Sequence, residues 1–343
     1  MKFGLERRSK KSEAEGARKT KFEKPLTYLL SGMMLVGGAH GASKMAEKQA
    51  EAQREKQRKE LVQRHEREMR ARESDRERLT KLASERNPIA EQFDFDRAHT
   101  DIRAETVRAA AEHWYARNME GDFREKFSGA AEKLERHWSE IGVNFERNDV
   151  PTEFATLAIQ ESYLEDTKDG KTYGAYQLTK MNVNRFHVRD THSLRETSRG
   201  AAELIASIGQ EMHNRGIEEP AFVTLAYNGT FAVPFLLKWK KNHPDHQPTI
   251  DDFCRYMSDR VNAERARIIR EYGRGKDARE RFHDAVYPMQ INIDYLAKFE
   301  GTLRTIKKMQ DDNRIHVTMV GHSDPSTLVA QGSEKSNSDR REG

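Results

Sequence analysis

The pattern of apolar positions is helical over most of the second part of the chain. From about residue 91 to residue 321, apolar side chains recur three and four positions apart, which places them on one face of a helix. Examples are Val107, Ala111 and Trp114; Phe123, Phe127 and Ala131; and Ala202, Leu204, Ile205 and Ile208. Alternating patterns typical of strands are few. We therefore predict an all-α or nearly all-α domain over residues 91 to 321.

The segment from residue 43 to residue 90 has a different pattern. It is dominated by Glu, Lys, Arg and Gln and contains no proline or glycine before Pro88. Opposite charges lie three or four positions apart, as with Glu60 and Arg64, which stabilises a helix. Apolar positions are too sparse for a sustained heptad seam. We expect a solvated or weakly self-associating helical spacer roughly 65 Å long, open to possible protein partners.

The two ends of the chain carry signals of another kind. Residues 1 to 24 form a basic stretch, and the run PLTYLLSGMMLVGGAHGA follows over residues 25 to 42 without Asp, Glu, Lys or Arg. Basic residues stay on the cytoplasmic side of a membrane while an apolar run inserts. The pattern predicts an export signal, interpreted as a retained anchor or a cleaved signal peptide. The polar tail, residues 322 to 343, is expected to be disordered.

Composition narrows the possible functions. The 60 basic and 56 acidic side chains leave a formal net charge of +4, so no nucleic-acid partner is expected. Cys254 is the one cysteine, which excludes an intrachain disulfide or a multi-thiolate metal site, and we interpret it as buried packing. His243 and His246 lie between prolines and are interpreted as surface-loop residues. We predict no metal ion and no cofactor.

One candidate for chemistry lies in the segment VPTEFATLAIQES, residues 150 to 162. Glu161 falls on the same helical stripe as Phe154 and Leu157, so it points toward the interior of the domain. A buried carboxylate near the C-terminus of a helix is disfavoured by desolvation and by the helix dipole, which raises its pKa. A raised pKa suits a general acid. The alternative is a Glu that pairs with a buried Arg or caps neighbouring backbone.

Three motifs follow one another in order. Glu161-Ser162 is followed by the run Tyr-Gly-Ala-Tyr-Gln-Leu over residues 173 to 178, and then by Leu-Ala-Tyr-Asn-Gly over residues 225 to 229. Together they resemble the lytic transglycosylase family, enzymes with a lysozyme-like fold that cleave bacterial peptidoglycan. The resemblance covers roughly residues 120 to 300.

The resemblance implies a role for each matching residue. Glu161 would be the catalytic acid, which protonates the glycosidic oxygen between N-acetylmuramic acid and N-acetylglucosamine and then removes the C6 hydroxyl proton of the same muramic residue. The product would be a 1,6-anhydro sugar. The residues implied to bind substrate are Ser162, Gln177, Tyr227, Asn228 and, through a looser match, Tyr287. The partners would be peptidoglycan glycan strands, met by an exported protein held at the cytoplasmic membrane and facing the cell wall.

Two other functions are open at this stage. A goose-type lysozyme would use a similar Glu but hydrolyse the same bond with water. A catalytically silent scaffold would bind peptidoglycan without cutting it. This function is open because the second motif is shorter here than in the family. The chemistry of the products separates these possibilities.

Overall fold

The computed structural model describes residues 39 to 166, 171 to 229 and 231 to 319. The chain forms two compact units, Met1–Arg70 and Ala71–Gly343. The predicted basic N-terminus, residues 25 to 38 of the predicted membrane segment and the predicted tail from residue 322 lie outside the described residues. Among the helices that are described, none combines the length and apolar character needed to cross a membrane.

Helix α1, Ala39–Ser84, contains most of the charged segment, so a helix is present where one was predicted. In the first unit, its side chains from residue 50 to residue 70 are exposed. In the second unit, Leu79 of the same helix is 3% exposed, and the Leu82 carbonyl oxygen lies 3.0 Å from Nδ1 of His113. The second compact unit begins at Ala71. One buried leucine in a charged helix leaves no periodic signal in the sequence.

The second unit is mostly helical in its described residues, with two short strands, which confirms the all-α or nearly all-α prediction. After α1 the elements are α2 (Pro88–Gln92), α3 (Ala104–Met119), α4 (Arg124–Arg136), α5 (Trp138–Arg147), a 3-10 turn (Thr152–Thr156), α6 (Leu157–Ser162), β1 (Thr172–Tyr173), β2 (Leu178–Thr179), α7 (Lys180–Arg185), α8 (Leu194–Asn214), α9 (Ala221–Asn228), α10 (Ala232–Asn242), α11 (Ile250–Tyr272) and α12 (Lys276–Asp311). The two strands form a short antiparallel hairpin.

Several helices begin at residues whose side chains cap the exposed backbone N–H groups of the first turn. Asn87 accepts a hydrogen bond of 2.8 Å from the N–H of Ile89 at the start of α2. Ser193 caps α8, and Thr249 forms a reciprocal capping box with Asp252 at the start of α11. Caps of this kind are worth about 1 kcal/mol each, so they fix where these helices start.

Helix α12 runs through both hydrophobic clusters of the second unit. It contributes Phe282 and Ile293 to a cluster built mainly with α9, α10 and α11. Further along, it contributes Phe299 and Ile306 to a second cluster built mainly with α4, α5, α6 and α8. Because one helix passes through both clusters, its position fixes the packing of each cluster relative to the other.

The close approach of α12 to α3 depends on a glycine. A Cβ atom at Gly301 would lie 2.7 Å from the Cβ of Trp114 and 2.9 Å from the carbonyl oxygen of Ala111. Both distances are shorter than any real Cβ contact, and one partner is backbone that cannot rotate away. The two helices therefore pack backbone against backbone at this point.

We expect Gly301→Ala to destabilise the protein by about 1–3 kcal/mol, because the added methyl group forces the packed helices apart. The measurement is the free energy of unfolding in urea. Gly129 on α4 is the matched control, since it is exposed and a Cβ there would meet no atom within 4 Å. Gly129→Ala should stabilise the protein by up to about 1 kcal/mol through helix propensity. Equal effects of the two substitutions would contradict this packing.

Candidate active site

Helix α6 ends directly after Glu161. The chain turns there through two residues in the left-handed region, Tyr163 at φ 56° and Leu164 at φ 54°. Their N–H groups bond the carbonyls of Ile159 and Ala158, each at 2.9 Å, which closes the last turn. The carboxyl of Glu161 thus lies at the C-terminal end of a helix, as the sequence predicts, where the helix dipole disfavours a negative charge.

The Glu161 side chain is half-buried and is contacted by residues from α12. The hydroxyl of Tyr295 donates a hydrogen bond to Oε1 of Glu161. Burial raises the pKa of the Glu161 carboxyl, while the Tyr295 hydrogen bond and the charge of Lys298 act in the opposite direction. The raised pKa agrees with the expectation from sequence. No Arg is paired with Glu161 among the described residues, so the buried ion pair considered as an alternative is not formed there.

Tyr227 lies close to the same carboxyl, and Tyr176 lies next to Tyr227. Burial raises the pKa of Tyr227 well above its ordinary value, and the nearby Glu161 and Tyr176 raise it further. The Tyr227 hydroxyl donates to the carbonyl of Tyr176 at 2.7 Å. The hydroxyl of Tyr176 donates in turn to the carbonyl of Ala155 at 3.0 Å. These bonds connect α9 to the β1–β2 hairpin and the hairpin to the start of the Glu161 helix.

Ser162 also connects the Glu161 helix to the hairpin. It is 7% exposed, and its hydroxyl donates to the carbonyl of Ala175 at 2.8 Å. This hydrogen bond attaches the turn between β1 and β2 to the end of the Glu161 helix. Ser162 therefore shapes the site through the backbone that it holds in place.

Gln177 lies in the turn between β1 and β2 and closes that turn with its own side chain. Its Nε2 donates to the carbonyl of Gly174 at 2.6 Å, and its Oε1 accepts from the hydroxyl of Thr172 at 2.5 Å. Gly174 has a φ of 69°, and a Cβ there would lie 2.6 Å from the carbonyl oxygen of Thr191. Only glycine fits this position, so the hairpin is tightly constrained.

Asn228 is the last residue of α9 and is half-buried. The residue that follows it, Gly229, packs closely on α12, since a Cβ there would lie 2.7 Å from Nδ2 of Asn292. The same Nδ2 donates to the carbonyl of Leu225 at 3.2 Å. Asn228 is thus held at the junction of α9 and α12, the helix that carries Tyr295.

Tyr287, the remaining predicted substrate-binding residue, lies about two helical turns before Tyr295 on α12. Its side chain is 47% exposed and stacks on His283, with ring centroids 5.2 Å apart. The tyrosine that contacts Glu161 is Tyr295, which the sequence reasoning missed. Its signal was weak, because a tyrosine on an apolar helical stripe is more often a core residue.

The other sequence candidates lie elsewhere. Cys254 is 1% exposed, which confirms the prediction of a buried thiol. His243 follows α10 and stacks on Trp239 at 4.3 Å between ring centroids.

Within the parts of the chain that are described, no three His, Cys, Asp or Glu side chains converge on a possible metal site. A cavity of about 490 Å³ borders α1, α3 and α12 and is not lined by Glu161.

Comparison with protein-family models, with curated proteins and with solved structures finds no match to this chain. A half-buried carboxyl with a raised pKa, in contact with one tyrosine hydroxyl and close to a second, can hold a proton and deliver it to a bound oxygen atom. That is the chemistry of a general acid.

We expect Glu161→Gln to stabilise the protein increasingly as the pH rises. The native pKa lies above that of the unfolded chain, so the stability linked to the protonated carboxyl is full below about pH 4.3 and is lost as the pH rises through the native pKa. Glutamine has no such titration. The measurement is the difference in unfolding free energy between variant and wild type at pH 4 and at pH 7.

The control is Glu132→Gln on α4, whose side chain is exposed. Its difference from the wild type should not grow with pH in this way. A Glu161→Gln difference that stays constant between the two pH values would contradict a carboxyl with a raised pKa.

Proposed function

We propose that this protein is a peptidoglycan lytic transglycosylase with a lysozyme-like helical domain and that Glu161 is its catalytic acid. The observation that carries the proposal is the environment of Glu161, which is half-buried, has a raised pKa and accepts a hydrogen bond from Tyr295. The order of the Glu-Ser, Tyr-Gly-Ala-Tyr-Gln and Tyr-Asn-Gly motifs supports it. The second motif is hydrogen-bonded through its backbone to Ser162 of the first motif and to Tyr227 of the third.

The proposed reaction uses one carboxyl twice. Protonated Glu161 gives its proton to the glycosidic oxygen, and the bond from C1 of the muramic residue to that oxygen breaks. The resulting Glu161 carboxylate then takes the proton of the C6 hydroxyl of the same residue while O6 bonds to C1. The products are an anhydro sugar and a free 4-hydroxyl on N-acetylglucosamine. The enzyme returns to its starting protonation state, and no water is consumed.

The surroundings of Glu161 suit a mechanism with a single carboxylate. Hydrolases with two carboxylates place a nucleophile or base at a defined distance from the acid. Among the described residues, the charged and titratable groups that act on the Glu161 carboxyl are a tyrosine hydroxyl and a lysine ammonium, and neither of them is a carboxylate. A nucleophile from the substrate itself, the C6 hydroxyl, is consistent with this arrangement.

The remaining site residues have supporting roles in the proposal. Tyr295 orients the carboxyl and stabilises it when ionised, while Tyr227 and Ser162 hold the facing hairpin. Gln177 and Asn228 lie on the two elements that would border the glycan. Residues 25 to 42 would anchor the protein in the cytoplasmic membrane, and the charged helix would carry the catalytic domain toward the cell wall.

The test is mass spectrometry of purified peptidoglycan incubated with the full-length protein. We expect anhydro-muropeptides from the wild type and a loss of about 10²-fold or more in Glu161→Gln, because the proton donor is removed. Tyr295→Phe should lose roughly tenfold or more, which corresponds to one hydrogen bond to a charged group. Glu132→Gln should match the wild type.

Other products would contradict the proposal in different ways. Hydrated reducing ends would indicate a lysozyme that uses water. Retained binding to peptidoglycan with no released products would indicate a scaffold protein. Anhydro products that persist at the wild-type rate in Glu161→Gln would assign the acid to another residue.

A further inference from the structure

Lys298 is a half-buried lysine that takes no part in the two proton transfers of the proposed reaction. It lies three residues after Tyr295 on α12, so both side chains are on the face of the helix that meets α6. Its Nζ donates to the carbonyl of Gln160 at 2.8 Å and lies 5.6 Å from the ring centroid of Trp114. The ammonium is therefore fixed next to the Glu161 backbone, with its hydrogen bond made to a neutral group.

A second half-buried carboxyl, that of Asp294, lies one turn before Lys298 on the same helix. Oδ1 of Asp294 accepts hydrogen bonds from Nε1 of Trp114 at 2.9 Å and from Nδ2 of Asn87 at 2.8 Å. These donors come from α3 and from the residue that caps α2. Lys298 thus lies near the ring of Trp114 and within the electrostatic influence of Asp294, while its Nζ is hydrogen-bonded to the Gln160 carbonyl.

We propose that Lys298 is a positioning residue whose ammonium stabilises the carboxylate that Glu161 becomes after it has delivered its proton. This inference rests on the proposed function and deepens it. Lys298 acts through space on Glu161 and does not touch the substrate.

The physical need for such a charge follows from the two uses of one carboxyl. Burial alone favours the protonated acid and makes the carboxylate that must exist between the two proton transfers costly. A nearby ammonium lowers that cost without donating a proton in either step. An ion pair in direct contact would hold the carboxylate too firmly, whereas an ammonium hydrogen-bonded to backbone supplies charge at a distance.

The electrostatic environment agrees with this geometry. Burial lowers the pKa of Lys298, while the charges of Glu161 and Asp294 raise it and Arg117 lowers it. The groups that face Glu161 are Tyr295 and Lys298 from α12 and Tyr227 from α9. Lys298 is the one cation that acts on the Glu161 carboxyl among the described residues.

The test is a direct titration of the Glu161 carboxyl by NMR in the full-length protein with ¹³C-labelled glutamate. The Glu161→Gln variant identifies the resonance. In Lys298→Met, we expect the titration midpoint to move to higher pH, because a charge that favours the carboxylate is lost. Lys298→Gln should behave in the same way. It can still donate to the Gln160 carbonyl and serves as a second neutral variant in case the methionine variant does not fold.

Two further variants separate charge from structure. Lys298→Arg keeps the cation, so its midpoint should stay close to that of the wild type. Lys308→Met removes a positive charge from an exposed position on the same helix, where Lys308 pairs with Asp312, and its midpoint should not move. Unchanged midpoints in both neutral Lys298 variants would overturn the proposal, as would an equal shift in Lys308→Met.

An activity measurement distinguishes this inference from the proposed function. If the wild type releases anhydro-muropeptides, the alkaline limb of its kcat/KM profile should move to higher pH in Lys298→Met and stay in place in Lys298→Arg. An alkaline limb that does not move in Lys298→Met would count against the inference. If the wild type releases no products, the proposed function fails, and the carboxyl titration still decides whether Lys298 acts on Glu161.

Discussion

The packing of α12 on α3 at Gly301 is the constraint from which the site follows. With no side chain at this position, the two helix backbones approach until Trp114 and Ala111 meet the glycine. Tyr295 lies six residues earlier on the same rigid helix, so this approach sets where its hydroxyl meets Glu161. Helix α12 also contributes side chains to both hydrophobic clusters, so core packing helps to fix the position of the Tyr295 hydroxyl.

Burial of the Glu161 side chain destabilises the ionised form of its carboxyl. The Tyr295 hydroxyl and the Lys298 ammonium offset only part of that destabilisation. Complete compensation would come from a contacting Arg and would keep the group ionised. Partial compensation leaves a carboxyl that can change its protonation state, which suits a residue that gives and then takes back a proton.

The sequence predicted well what depends on local pattern. The helical period placed Glu161 on a buried stripe, and the end of the helix at Ser162 follows from the short apolar run. Tyr295 was missed because its contact joins positions 134 residues apart, and no local feature distinguishes it from a core tyrosine. Leu79 is buried in a segment that otherwise has the pattern of a solvated helix, and a single buried position leaves no periodic signal. The turn closed by Gln177 depends on hydrogen bonds within a hairpin, which apolar periodicity does not report.

The most direct test of the central claim is a crystal structure of the Glu161→Gln protein with a peptidoglycan oligosaccharide bound. The account predicts a glycosidic oxygen within hydrogen-bond distance of the residue 161 side chain, roughly 2.6–3.2 Å. The C6 hydroxyl of the muramic residue should lie on the same side. A glycan bound on another surface, with residue 161 enclosed by protein and out of its reach, would contradict it.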